Sequence, residues 1–270
     1  MTMPNRMFMA TAGTVQIFDF TISSSEDNWV LDTELVAVGW DEADKPIEVN
    51  ITINSSVQIG STSTGTAGMN LGTLPAGSAI ALTIGSSAQI NGKGGAGGDQ
   101  STVGANGGTA LYTRTATTLT NNAEINGGGG GGGGGSQRQN NGNACVGSKT
   151  GTGGAGGTGY GNSSATSGSS GGSQTGSCVS SSGGPDADPC NTSSGTYGAT
   201  GGTGGTGGGK GTAGSTGGGG SIISGTNGNC GSGNSSTAGA GGAAGSAVDG
   251  HSYITYILTD NATYNGAQVN

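Results

Sequence analysis

Hydrophobic positions along the chain cluster towards its two ends and alternate there with polar ones. Thr14 to Ile22, Glu34 to Trp40 and Ile47 to Ile53 place β-branched or aromatic residues at every second position. That period predicts half-buried strands. Asn28 to Val36 also fits the start of a short helix, but the alternation that follows favours a strand. Near the other end, Ser252 to Thr259 alternates again and stops at the turn signal Asp260-Asn261.

A different pattern fills the middle. Ser56-Val57-Gln58-Ile59-Gly60, Ala88-Gln89-Ile90-Asn91-Gly92 and Ala123-Glu124-Ile125-Asn126-Gly127 share the form small-x-Ile-x-Gly. The last two each lead into a glycine tract, which marks a short strand handing the chain to another conformation. Glycine tracts run over 92–98, 127–135, 151–161, 201–211, 217–220 and 239–245. Two of them keep a G-G-x period, at Gly153 to Gly159 and Gly201 to Gly208. Three residues per turn is the period of polyproline II, and G-G-x then puts every side chain on one edge. The bare edges allow neighbouring helices to share N–H to O=C bonds. A single such helix has no internal hydrogen bonds to offset glycine's ordering entropy, so the tracts pack together or stay disordered.

Composition narrows the choice. Glycine supplies 65 of 270 residues, and 56 of these fall between Asn91 and Gly250. The same stretch holds nine Leu, Ile, Val, Met or Phe, too few for a hydrophobic core. A globular α/β enzyme spanning the chain is excluded. Collagen is disfavoured by five prolines and broken G-X-Y triplets. The net charge is −8, with seven Lys plus Arg, so no basic patch for nucleic acid is expected. No 18-residue apolar window and no apolar leader segment occur. The expected fold is therefore mostly irregular and β. An all-β attachment module spans 1–90, a glycine-rich bundle of packed polyproline II helices spans 91–250, and a C-terminal strand segment spans 251–270. Almost no α-helix is expected.

Candidate chemistry is sparse. Cys145, Cys178, Cys190 and Cys230 lie between tracts with no C-x-x-C pair, which disfavours zinc. Two disulfides and four free thiols remain equal alternatives. Gly204 to Gly211 matches a P-loop at seven positions but ends in Gly where Ser or Thr is required. His251 has no catalytic partners in sequence, and Asp186-Ala187-Asp188 beside Pro185 and Pro189 reads as a solvated turn rather than a calcium site. No catalytic set, metal site or cofactor is expected. Tyr112, Tyr160 and Tyr197 are the only aromatics between Asn91 and Gly250, and Tyr160 and Tyr197 border tracts, as partner contacts or as covers for bare glycine.

Ile90-Asn91-Gly92-Lys93-Gly94-Gly95-Ala96-Gly97-Gly98, then Ile125-Asn126 with nine glycines, then G-G-x tracts separated by polar loops, resembles the distal tail-fibre adhesins of T-even-like bacteriophages. The run from Gly239 to Tyr256 is similar to their closing phrase. The resemblance covers about Ile90 to Tyr256. It implies stacked polyproline II helices whose loops contact an outer-membrane protein or surface glycan of the host bacterium. It also implies an N-terminal part, residues 1–90, that docks onto other tail or fibre proteins, as a trimer or as a monomer on a trimeric fibre. The implied tip segments are Ser136 to Thr150, Asn162 to Cys178, Val179 to Tyr197 and Thr226 to Thr237. Receptor-contact candidates within or beside them are Arg138, Lys149, Tyr160, Asp186, Asp188 and Tyr197. Loops at opposite rod ends cannot both be distal, so about half are expected to face the receptor. The implied location is the virion, at the tail or fibre tip, after synthesis in the host cytoplasm. The competing readings are a capsid fibre or decoration protein without receptor binding, and an ice-binding protein presenting Thr152, Thr158, Thr203 and Thr206.

Overall fold

The computed structural model describes residues 15–41, 45–140, 149–151, 173–178, 195–223, 236–257 and 259–270. Its strands fall into rungs of three. The first rung is β1 (Gln16–Ile22), β2 (Glu26–Asp27) and β3 (Trp29–Val30). The second is β4 (Ile47–Ile53), β5 (Gln58–Gly60) and β6 (Met69–Asn70), and the third is β7 (Ala79–Ile84), β8 (Gln89–Asn91) and β9 (Leu111–Tyr112). The fourth begins with β10 (Thr117–Asn121) and β11 (Glu124–Asn126). The chain then leaves the rungs for five strands elsewhere, β12 (Arg138–Asn140), β13 (Lys149–Gly151), β14 (Ser173–Cys178), β15 (Gly195–Thr200) and β16 (Ser221–Ile223). It returns with β17 (Val248–Asp249), which completes the fourth rung. The fifth is β18 (Ile254–Ile257), β19 (Thr263–Asn265) and β20 (Gln268–Val269).

Each strand pairs in parallel with its counterpart one rung away. The three resulting sheets run β1-β4-β7-β10-β18, β2-β5-β8-β11-β19 and β3-β6-β9-β17-β20. This is a three-sided parallel β-helix. The alternation seen in sequence becomes columns of stacked side chains: Phe20, Ile51, Leu82 and Leu119 are in register and buried, as are Ile22, Ile53 and Ile84. The small-x-Ile-x-Gly phrases are successive copies of one rung position, and they stack Ile59 on Ile90 on Ile125. A further copy, Thr263-Tyr264-Asn265-Gly266, completes that column with Tyr264. Beside it Asn126 donates to Asn91 Oδ1 at 2.8 Å, and Asn265 donates to Asn126 Oδ1 at 2.7 Å. An amide supplies both donor and acceptor, so an asparagine column satisfies itself where Asn91 and Asn126 are buried.

The structure corrects two expectations. The segment read as a strand over Glu34 to Trp40 is instead mostly α1 (Leu31–Ala37). Leu31 and Leu35, four residues apart, are both fully buried, and Asp32 and Glu34 sit in the first turn. Gly39, at φ +89°, ends the helix. Its N–H bonds to Val36 O and that of Trp40 to Leu35 O, both at 3.0 Å, which is the Schellman arrangement. Second, the strand-rich part is not confined to 1–90 and 251–270. β10 and β11 lie beyond residue 90, and the closing strands join the same sheets. Parallel rungs pair strands far apart in sequence, so a long insertion at a corner leaves the sheets intact.

Candidate functional site

The glycine tracts grow from one corner of the β-helix, where the second and third sheets meet. The connection between β8 and β9 forms two extended rods, 92–98 and 102–109. The connection between β11 and β17 supplies four more among the described residues, 127–136, 201–209, 212–220 and 236–246. We number them rods 1 to 6 in chain order. Rod 3 is the axis. Every carbonyl from Asn126 to Ser136 accepts one N–H, at 2.7–2.9 Å, in strict rotation from three neighbours. Asn126, Gly129, Gly132 and Gly135 accept from Gly92, Gly95, Gly98 and Ser101, on rod 1 and the turn after it. Gly127, Gly130, Gly133 and Ser136 accept from Gly211, Gly208, Gly205 and Gly202, on rod 4 and the turn at its base. Gly128, Gly131 and Gly134 accept from Gly245, Gly242 and Gly239 of rod 6. In turn the N–H groups of Gly128, Gly131 and Gly134 donate to rod 2, and those of Gly130, Gly133 and Ser136 to rod 5. The lateral bonding thus repeats every three residues, the period that polyproline II has.

The repeat explains the nine consecutive glycines. At each position from Gly127 to Gly135 an added Cβ would sit closer than 3.0 Å to a backbone oxygen of rod 1, 4 or 6, or of the Asp99 turn. The outer rods have a free edge, and their third residues occupy it: Ala96, Thr203, Thr206, Ala240 and Ala243 are exposed while Gly95, Gly202, Gly205 and Gly242 are buried. Lys210, the near-match to a P-loop lysine, lies at the turn between rods 4 and 5. Its Nζ pairs with Glu124 of β11 and holds that carboxyl below the ordinary range. Gln89 Nε2 donates to the same carboxylate at 3.2 Å. The bundle is thus tied to the β-helix at its root. Thr203 and Thr206 are exposed, but the Thr206 hydroxyl is bound to Ser215 Oγ at 2.9 Å rather than belonging to an open hydroxyl face.

At the far end of the rods three segments meet. The turn 99–101 joins rods 1 and 2, with Ser101 at φ +59°. Rod 3 ends at Ser136, and rod 6 begins at Ser236. Ser101 Oγ lies 2.5 Å from Ser236 Oγ, the Gln137 N–H donates to Ser236 Oγ at 2.7 Å, and Gln137 Nε2 donates to Gln100 Oε1 at 2.5 Å. Rod 4 starts at this same end, where Gly202 N–H meets Ser136 O, and rod 5 finishes there, where Ser136 N–H meets Gly218 O. Both long excursions, from Gln137 to Thr200 and from Ser221 to 235, therefore leave and re-enter at one end, opposite the β-helix. The described residues fix where both excursions begin and end, and the expectation that about half of the tip segments face the receptor falls mostly on residues outside them. Among the described residues one turn, Lys210-Gly211, joins two rods at the root.

Among the candidate contacts, Arg138 opens β12 opposite Gly151, and Lys149 opens β13 opposite Asn140. Tyr197 lies in β15 opposite Gly176, and Cys178 ends β14 opposite Gly195. The antiparallel β12–β13 hairpin and the β14-β15-β16 sheet lie against one another, which brings Arg138, Lys149 and Tyr197 into one cluster of strands. Tyr160, Asp186, Asp188, Cys145, Cys190 and Cys230 lie outside the described residues, as does the tract 152–161. The turn at Asp99 to Val103 also belongs to this end and was missed in sequence, where it read as a gap between tracts. Val103 is 64% exposed, the largest value among the exposed large hydrophobics of the described residues. Among the described residues no cluster of His, Cys, Asp or Glu is placed to hold a metal ion.

A solenoid base, a bundle without a hydrophobic core, and two excursions that leave and re-enter at one free end define a display scaffold. Residues 17–269 match the phage tail fibre adhesin Gp38 family, and the chain belongs to that family. It is a receptor-binding adhesin of the virion tail-fibre tip. Among solved structures, the gp37–gp38 adhesin tip complex of the bacteriophage S16 long tail fibre is similar, with a TM-score of 0.49 at 21% identity over 94% of this chain and 83% of that one. No curated protein matches the chain.

Proposed function

We propose that the excursions at the free end of the bundle make the receptor contact, and that the target is an outer-membrane protein or surface glycan of the host bacterium. The common end of both excursions carries this reading. Arg138, Lys149, Tyr160, Asp186, Asp188 and Tyr197 are the contact residues, and Cys145, Cys178, Cys190 and Cys230 staple the loops in two disulfides. The β-helix, with residues 1–90 as its attachment part, joins other tail or fibre proteins, since it occupies the end that the loops leave free. The protein is made in the host cytoplasm and acts by binding alone, with no catalytic step. Rods that fix the loop ends reduce the ordering cost of contact, and several copies on one virion add avidity. Tyr160→Ala and Tyr197→Ala virions are expected to lose host adsorption at least about tenfold while assembling normally. Unchanged adsorption in both, together with unchanged adsorption when Arg138 and Lys149 are replaced by Ala, overturns the reading.

A further inference from the structure

Away from the free end, the outward row of the third sheet forms the floor of a cleft of about 460 Å³. Val30, Asn70, Tyr112 and Asp249 stand in register on β3, β6, β9 and β17 and line it. Thr109, at the end of rod 2, lines it as well, and the corner 64–67 forms one wall. The wall is built rather than loose. Asn28, in the left-handed region at φ +56°, accepts from the Thr62 N–H at 3.0 Å and donates to Thr62 Oγ1 at 2.7 Å. Ser61 Oγ, buried, lies 2.7 Å from Ser63 O and 3.0 Å from Thr66 O, with its one proton shared between the two carbonyls. Thr64 is also packed against the rod 2 backbone at Gly108.

The floor residues are each held at one atom and left with another. Asn70 Oδ1 accepts from the Gly72 N–H at 2.9 Å, and no acceptor among the described residues meets its Nδ2. Asp249 Oδ1 pairs with Arg114 at 2.7 Å, while Oδ2 has no partner among the described residues. The same holds for the Thr109 and Tyr112 hydroxyls. Arg114 is already committed: besides Asp249 it donates to Thr113 O at 2.9 Å and lies 4.5 Å from the Tyr112 ring centroid. The cleft therefore offers an amide donor, a carboxylate acceptor, two hydroxyls and an aromatic edge, with no uncommitted cation.

We propose that this cleft is a binding site for a neutral saccharide. A sugar's hydroxyls both donate and accept, which suits a mixed set of amide, carboxylate and hydroxyl groups on rigid backbone. An anionic ligand finds no uncommitted cation here, since Arg114 is held by Asp249, and the net charge of −8 opposes its approach. An apolar ligand would leave the four polar atoms unpaired. The site lies on one flank of the β-helix, largely within residues 1–90 and apart from the distal loops; with the fibre partner docked on another face of the β-helix, it gives the adhesin a second, lateral hold on a polysaccharide surface.

The test uses the purified full chain and neutral oligosaccharides from the lipopolysaccharide of a bacterium to which the phage adsorbs, cut from its outer chain and freed of carboxylate- and phosphate-bearing fragments by anion exchange. Saturation-transfer NMR and calorimetry read binding to the wild type, to Ala67→Trp and to Asn70→Asp. Ala67→Trp fills the cleft. Asn70→Asp keeps the oxygen that accepts from Gly72 and removes the free donor. The expected result is binding by the wild type, at least about tenfold weaker in both variants, with unchanged thermal midpoints. No binding by the wild type, or equal binding by both variants, overturns the proposal. Adsorption of Tyr197→Ala virions reports on the distal loops separately, so either reading fails without the other.

Discussion

The β-helix and the glycine bundle solve one problem in opposite ways. Both are short-period repeats in which every turn of chain is bonded sideways to a neighbour. In the β-helix the repeat is two, and every second side chain goes inside, so burial of Phe20, Ile51, Leu82 and their stack supplies the driving force. In the bundle the repeat is three and the interior is backbone alone, so side chains are pushed to the outer edge and stability comes from lateral hydrogen bonds. A core of side chains tolerates some repacking, whereas a core of carbonyls and N–H groups at contact distance tolerates no added atom.

The largest effect is expected where that difference is sharpest. Gly131→Ala places a methyl against the Ala96 carbonyl, which is backbone and cannot rotate away. Rods 1 and 3 must part, breaking bonds on both sides, at about 4 kcal/mol from overpacking and lost hydrogen bonds together. Loss of soluble yield or a collapsed thermal midpoint checks this. Leu82→Ala in the β-helix leaves a cavity and costs about 3 kcal/mol, measured by denaturant unfolding. Asn126→Ala, in the amide column shared with Asn91 and Asn265, costs about 2 kcal/mol, since Asn91 loses a buried bond and Asn265 a partly buried one.

Smaller still is the tie between the two regions. Lys210 lowers the folded-state pKa of Glu124 below its unfolded value. The pair's contribution is therefore present above the unfolded carboxylate pKa and is lost as pH falls through the folded one. Because the pair is partly exposed, the loss is about 0.5 kcal/mol or less, and Glu124→Gln removes this part of the acid dependence of the melting midpoint. The smallest change is expected at Gly219, where an added Cβ meets nothing within 4 Å. Gly219→Ala shifts stability by no more than about 0.4 kcal/mol, in the stabilising direction through the unfolded chain. Its contrast with Gly131→Ala separates close approach from mere glycine content.

Much of this contrast was legible in the sequence because both periods are local. Alternation at Ile47 to Ile53 and the G-G-x phase at Gly201 to Gly208 are short-range signals, and the structure places a strand and a rod there. The helix at Leu31 to Ala37 was legible as an alternative but set aside for a strand, because seven residues carry little periodicity and Gly39, its stop, was read as part of a strand. The Thr263-Tyr264-Asn265-Gly266 copy escaped because Tyr replaces Ile. The joining of 16–126 with 248–269 into one solenoid was not legible, since parallel pairing across the long insertion between β11 and β17 leaves no local trace. The common end at which both excursions begin and finish followed only once the direction of each rod was known.

Backbone amide hydrogen exchange, resolved at Gly130, Gly131, Gly133 and Gly134, tests the central claim most directly. These N–H groups donate to rods 5 and 2, so exchange at least about 10³-fold slower than coil is predicted, lost together with the bundle. Coil-rate exchange at these four glycines, with amides of the Leu82 strand still protected, would contradict the account: the β-helix would stand, and the rods would carry no rigid tip.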